Sequence, residues 1–86
     1  MPYIEQKLRS RFIADEKLGV DAKMPDNVGE LNYLITRICH AYIERHGEKY
    51  QHYNDIIGAL ECCKLELYRR KITPYEEIKK ELNGDV

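Results

Sequence analysis

The sequence predicts an all-α protein: a compact domain of four helices, three longer ones and a short last one, completed by oligomerisation. Three observations carry that expectation. Strand formers are scarce, with three Val and two Thr, and no stretch alternates apolar with polar. Apolar residues recur instead at helical spacing through most of the chain. Helix-start and helix-stop residues stand at separate places: Asn27 with Glu30, Gly47, and Thr73-Pro74. With 86 residues there is room for one domain. It divides into an N-terminal helix and linker, residues 1–26, and a helical core, residues 27–86.

The first helix is expected from about Tyr3 to Lys17. Ile4, Leu8 and Phe12 or Ile13 lie four apart on one stripe, with Glu5, Gln6, Arg9, Ser10 and Glu16 opposite. Gly19 can end it, and Gly19 to Pro25 has no periodicity and reads as the linker. Asn27 opens the second helix, with Glu30 three residues on in the capping-box position. Val28, Leu31, Leu34, Ile35, Ile38, Ala41 and Tyr42 give it a wide apolar face, and Gly47 stops it after Arg45 and His46. Glu48 to Tyr53 reads as a polar and aromatic connection. Asn54 or Asp55 then caps a third helix, about Ile56 to Lys71. Thr73 caps a fourth, with Pro74 at its first position and Glu76 closing the box, and Asn83-Gly84 ends it near Leu82.

The third helix is non-charged nearly all round, which calls for burial on every side. A chain this short has too few helices to surround it, so a second copy is expected to cover part. Gly58 with Cys62, and Ala59 with Cys63, are small residues four apart that allow close helix approach. Gly58, Ala59, Cys62 and Leu65 are therefore the expected oligomer interface. Packing of the same residues against another helix of the chain is the plainer alternative. Glu61, Lys64 and Tyr68 interrupt the surface as an ordinary salt bridge with an aromatic cover.

Composition narrows the function classes. Charged residues are 34% and hydrophobic ones 43%, with a formal charge of −1, which suits a soluble globular protein and excludes bulk electrostatic binding of nucleic acid. No apolar run approaches the roughly 20 residues a membrane span needs, and Met1 to Leu8 lacks the apolar stretch of a signal peptide. Three cysteines, two of them adjacent, make no disulfide framework and point to reduced thiols in the cytoplasm.

Catalytic constellations are missing. Cys39, His40, His46, His52, Cys62 and Cys63 show neither Cys-x-x-Cys nor His-x-x-x-His spacing, so no metal site is expected and the cysteines read as small core residues. Cys39 and His40, being adjacent, do not face each other on a helix. Every glycine is isolated, so no phosphate-cradling loop and no nucleotide cofactor motif is present. The carboxylate pairs Asp15/Glu16 and Glu76/Glu77 read as surface charge. A non-enzyme without cofactors is expected.

An anion-binding role has more support. Arg69, Arg70 and Lys71 are the densest basic cluster, Arg37 and His40 lie along the second helix, and Tyr50 and Tyr53 sit in the adjoining connection. Guanidinium forks and aromatic planes together suit phosphates and bases. The bland reading of each residue is a solvated helix face or compensation of a helix dipole. Seven tyrosines against one Phe and no Trp suit half-wet interfaces.

The segments Gly29-Glu30-Leu31-Asn32-Tyr33, Asn54 to Arg70, Pro74-Tyr75-Glu76 and Asn83-Gly84-Asp85-Val86 resemble a family of small uncharacterised proteins of tailed phages and prophages, a domain of unknown function. The resemblance covers about Asn27 to Val86. It implies a phage accessory protein in the bacterial host cytoplasm. In that setting the expected function is a counter-defence sponge, an oligomer that sequesters a cyclic nucleotide immune signal through Arg69, Arg70, Tyr50, Tyr53, Arg37 and His40. A protein–protein inhibitor of a host protein, with no small ligand, is the alternative, and a structural or replication-associated accessory protein a third.

Overall fold

A computed structural model describes residues 3–7 and 24–86. The first helix expected over Tyr3–Lys17 and the linker after it fall mostly outside the described residues. Within them lie α1 (Val28–His46), α2 (Tyr50–Leu67), a π-helical segment (Tyr68–Ile72) and α3 (Thr73–Asn83), and no strand.

α1 forms as its end residues dictate. Asn27 is extended at φ −147°, ψ 173°, and its side-chain oxygen accepts from the Glu30 N–H at 2.9 Å. The Glu30 carboxylate reaches back to the Asp26 N–H at 3.0 Å, one residue before the cap itself. At the other end Gly47 takes φ 100°, ψ 160°, a conformation essentially reserved for glycine, and donates its N–H to the Ile43 carbonyl at 2.7 Å. Arg45 and His46 sit in the last turn, where positive charge suits the dipole.

The next helix departs from expectation at both ends. It starts at Tyr50, so Tyr50 and Tyr53 are helical residues rather than loop. The Lys49 carbonyl accepts from the N–H groups of His52 and Tyr53 at 3.0 and 3.2 Å. Nor does it stop near Lys71. Leu67, Ile72 and Thr73 all have right-handed helical dihedrals, and the Thr73 N–H donates to the Tyr68 carbonyl, five residues back. Tyr50 to Asn83 is therefore one continuous helix.

This overturns the compact four-helix domain. The expected third and fourth helices are a single element, the residue at the cap position of α3 is Ile72 rather than Thr73 and makes no side-chain cap bond, and none of the described residues is buried. The physical reason lies at Pro74. Proline lacks an N–H and its ring crowds the carbonyl four residues back in a regular α-helix. A π turn re-routes those bonds by one residue, so the chain continues instead of breaking.

The chain falls into two units, one comprising Tyr3–Asn54 and the other containing Asp55–Val86. In the first, the turn after α1 is pinned by rings. Tyr42 lies against His46 with centroids 4.3 Å apart, and His52 meets His46 at 5.8 Å and Tyr42 at 6.3 Å. In the second, the π segment runs directly into α3, and the helix closes at Gly84, φ 87°, whose N–H donates to the Lys80 carbonyl.

Candidate interaction surface

The expected basic cluster is present but engaged. Arg69 places one guanidinium nitrogen 2.9 and 2.8 Å from the two Glu66 carboxylate oxygens, and Arg70 donates Nε–H to the same carboxylate at 2.9 Å. Helical spacing of three and four residues brings the groups together. Glu66 is half-buried under them, with a side chain 22% exposed, while the arginines are above 60%. The spacing that pairs these arginines with Glu66 is present in the sequence, where basic composition alone marks only the cluster.

Tyr50 is 76% exposed in the first turn of α2. Tyr53 donates its hydroxyl hydrogen to the Glu48 carboxylate. That hydrogen bond, slight desolvation and the nearby negative charge all push the Tyr53 hydroxyl above its ordinary pKa. Arg37 and His40 are exposed on α1, three residues apart. Among the candidate ligand residues, then, Arg69 and Arg70 are brought together on Glu66, and Tyr53 is held by Glu48.

Gly58, Ala59, Cys62 and Leu65 are all exposed on α2. A Cβ built on Gly58 would meet nothing within 4 Å. The fold of the described residues gives no reason for glycine there, though glycine inside a helix costs about 0.5–1 kcal/mol relative to alanine.

The histidines tell a different story from their sequence spacing. Six residues do not return to one helix face, yet the turn at Gly47 folds His52 back toward His46. His52 Nδ1 lies 2.8 Å from the Gly47 carbonyl, which can only accept, so Nδ1 carries the hydrogen. No group of three or more potential metal ligands occurs among the described residues. A shallow hollow of about 340 Å³ near the C-terminus is lined by charged residues, and Lys80 sits within 3.7 Å of Glu77 and 3.8 Å of Asp85 there.

The larger feature is apolar. Val28 is 80% exposed, Ile38 62%, Leu67 54%, Tyr75 58%, Ile78 58% and Leu82 72%. Single exposed apolar residues are normal; here they recur along helices in which no side chain is buried. No helix among the described residues is long and apolar enough to cross a membrane.

A family profile described as a domain of unknown function (DUF6899) matches residues 1–86. The chain belongs to the DUF6899 family. The match takes in the first 26 residues, beyond the part from Asn27 onward that carried the resemblance in sequence. No curated protein and no solved structure matches the chain. DUF6899 membership brings no activity with it, so function rests on the surface just described.

Proposed function

We propose that this DUF6899 protein is a non-catalytic binding module that works by covering its exposed helix faces with protein. One observation carries the reading: large apolar side chains on α1, α2 and α3 are 38–80% exposed, while no described residue is buried. Burying such surface is worth roughly 25 cal/mol per Å², so a partner for these faces has a large driving force. The resemblance to phage proteins supports a setting in which the bound protein belongs to a bacterial host.

Sedimentation velocity of the purified chain, with and without a bacterial lysate fraction, tests the reading. Self-association, or a stoichiometric complex with an identified host protein, supports it. A monomer whose α1 and α2 amides resist hydrogen exchange as strongly as a folded core removes its basis, because those faces would then need no partner.

A second reading, sequestration of a cyclic nucleotide signal, is favoured by the two guanidinium groups that converge on one carboxylate. A phosphate could take the place of the Glu66 carboxylate between Arg69 and Arg70. Calorimetry against cyclic di- and oligonucleotides decides it. Binding lost in Arg69→Ala/Arg70→Ala and tightened in Glu66→Gln supports a nucleotide sponge, and no heat with any nucleotide discards it.

A further inference from the structure

We propose that His46 and His52 form a two-imidazole site for a late first-row divalent cation, Cu²⁺, Ni²⁺ or Zn²⁺, which ties the last turn of α1 to the first turn of α2. The proposal does not rest on the binding-module reading, and its failure would leave that reading untouched.

Six residues separate the two histidines, a spacing that cannot bring them together on one helix. The turn between the helices does so instead. Gly47 at φ 100° ends α1, and the chain re-enters helix at Tyr50. His46 and His52 then meet across the turn, with ring centres 5.8 Å apart and planes at 61°. A metal held about 2.0–2.1 Å from one nitrogen of each ring puts the ring centres about 4.5–6.4 Å apart, according to the angle at the metal. The observed separation falls inside that range.

The tautomer of His52 is a second, independent observation. Its Nδ1 lies 2.8 Å from the Gly47 carbonyl. A carbonyl only accepts, so in the neutral ring the hydrogen is on Nδ1 and the lone pair on Nε2. Metal-binding histidines are held in this way, one ring N–H given to a backbone carbonyl and the other nitrogen left to ligate. The bond also fixes the direction of the ring before any ion arrives. His46 gains a comparable support from Tyr42, four residues earlier on α1, whose ring lies against it at 4.3 Å.

The donor type selects the ion. Imidazole suits zinc, copper and nickel, whereas Mg²⁺ and Ca²⁺ take oxygen donors. Among the described residues no third His, Cys, Asp or Glu joins the pair. Two protein ligands leave the other positions to water, so the ion is exchangeable, unlike one in a closed structural centre. Its effect is that of a cross-link. An ion that holds the two rings together in the folded turn stabilises that turn by mass action.

Calorimetric titration of Ni²⁺ into the full chain, without an affinity tag, tests the site. A Cys39→Ser/Cys62→Ser/Cys63→Ser background removes the free thiols that would compete. One ion per chain is expected to bind with a micromolar Kd and to raise the thermal unfolding midpoint. Mg²⁺ at the same concentration is expected to do neither. His46→Ala and His52→Ala should each weaken Ni²⁺ binding by about tenfold or more. His40→Ala, on another side of α1, should leave it within about twofold. His52→Asn keeps a donor where Nδ1 stood and removes Nε2. It is expected to lose the ion while helicity by circular dichroism and the metal-free midpoint stay unchanged. In NMR spectra, paramagnetic Ni²⁺ should broaden the imidazole signals of His46 and His52 first.

No heat up to millimolar Ni²⁺ overturns the site. So does a loss in His40→Ala as large as in His46→Ala or His52→Ala, or undiminished binding by His52→Asn. Should an alanine variant lose helicity on its own, the asparagine variant and the broadening pattern decide, and broadening centred away from the α1–α2 turn overturns the proposal.

Discussion

Gly47 and Pro74 are both helix-breaking residues, and they behave oppositely. At Gly47 α1 stops within one residue, because the backbone takes φ 100°, ψ 160° and the chain turns away. At Pro74 the helix runs on, because Thr73 bonds back to Tyr68 and the lost donor is absorbed in a π turn. A glycine ends a helix by adopting a conformation no other residue holds cheaply. A proline removes one donor, which a neighbouring turn can accommodate. Breaker residues are therefore unequal evidence for an element boundary.

Substitution at the two sites should separate the mechanisms. Gly47→Ala is expected to have the largest effect, lowering stability by about 1–3 kcal/mol in urea denaturation, since alanine is strained at that backbone geometry. A change near zero would mean the turn re-forms without its positive φ. Asn27→Ala, at the other end of α1, should remove about 1 kcal/mol by leaving the Glu30 N–H without its cap. Pro74→Ala should instead stabilise the long helix, by up to about 1 kcal/mol, and strengthen its circular dichroism signal. Lost helicity there would show that the proline is needed to hold the π turn.

Thr73→Ala sharpens the contrast further. A true N-cap would lose about 1 kcal/mol, but Thr73 has helical dihedrals and lies inside the continuous helix, with Ile72 at the cap position, so stability should stay within about 0.5 kcal/mol. The smallest effect belongs to Tyr53. Glu48 holds its hydroxyl in the protonated form and raises its pKa. The stabilisation is thus fully present below the ordinary tyrosine value near 10 and is lost as pH rises through the higher folded value. Absorbance titration near 295 nm of wild type against Glu48→Gln should show one tyrosine titrating earlier in the variant.

The legible parts of the fold were those written in side chains that act locally. Asn27 with Glu30, and Gly47, mark the ends of α1 where the structure has them. The start of α2 had no such mark, because it begins beside Lys49, whose side chain cannot accept a backbone N–H. Thr73-Pro74-Tyr75-Glu76 reads as a helix start whether the chain before it is helical or not. Only the bond from Thr73 to Tyr68 distinguishes the cases, and that bond depends on three-dimensional context. The same limit applied to the candidate site. Arg69 and Arg70 were recognisable as a cluster, but their convergence on Glu66 needs the helix to continue through them. The meeting of His46 with His52 needs the turn at Gly47.

The lengths on either side of the π segment differ, 18 residues in α2 and 11 in α3. An isolated helix of fewer than about 12–15 residues barely persists in water, because nucleating its first turn is unfavourable. α3 never has to nucleate: its first turn is already built when α2 is, and helix propagates into it through residues 68 to 72. The five-residue splice thus serves as a template from which the eleven residues of α3 inherit their order, and removing α2 together with the splice would leave that segment as a peptide too short to hold a helix alone.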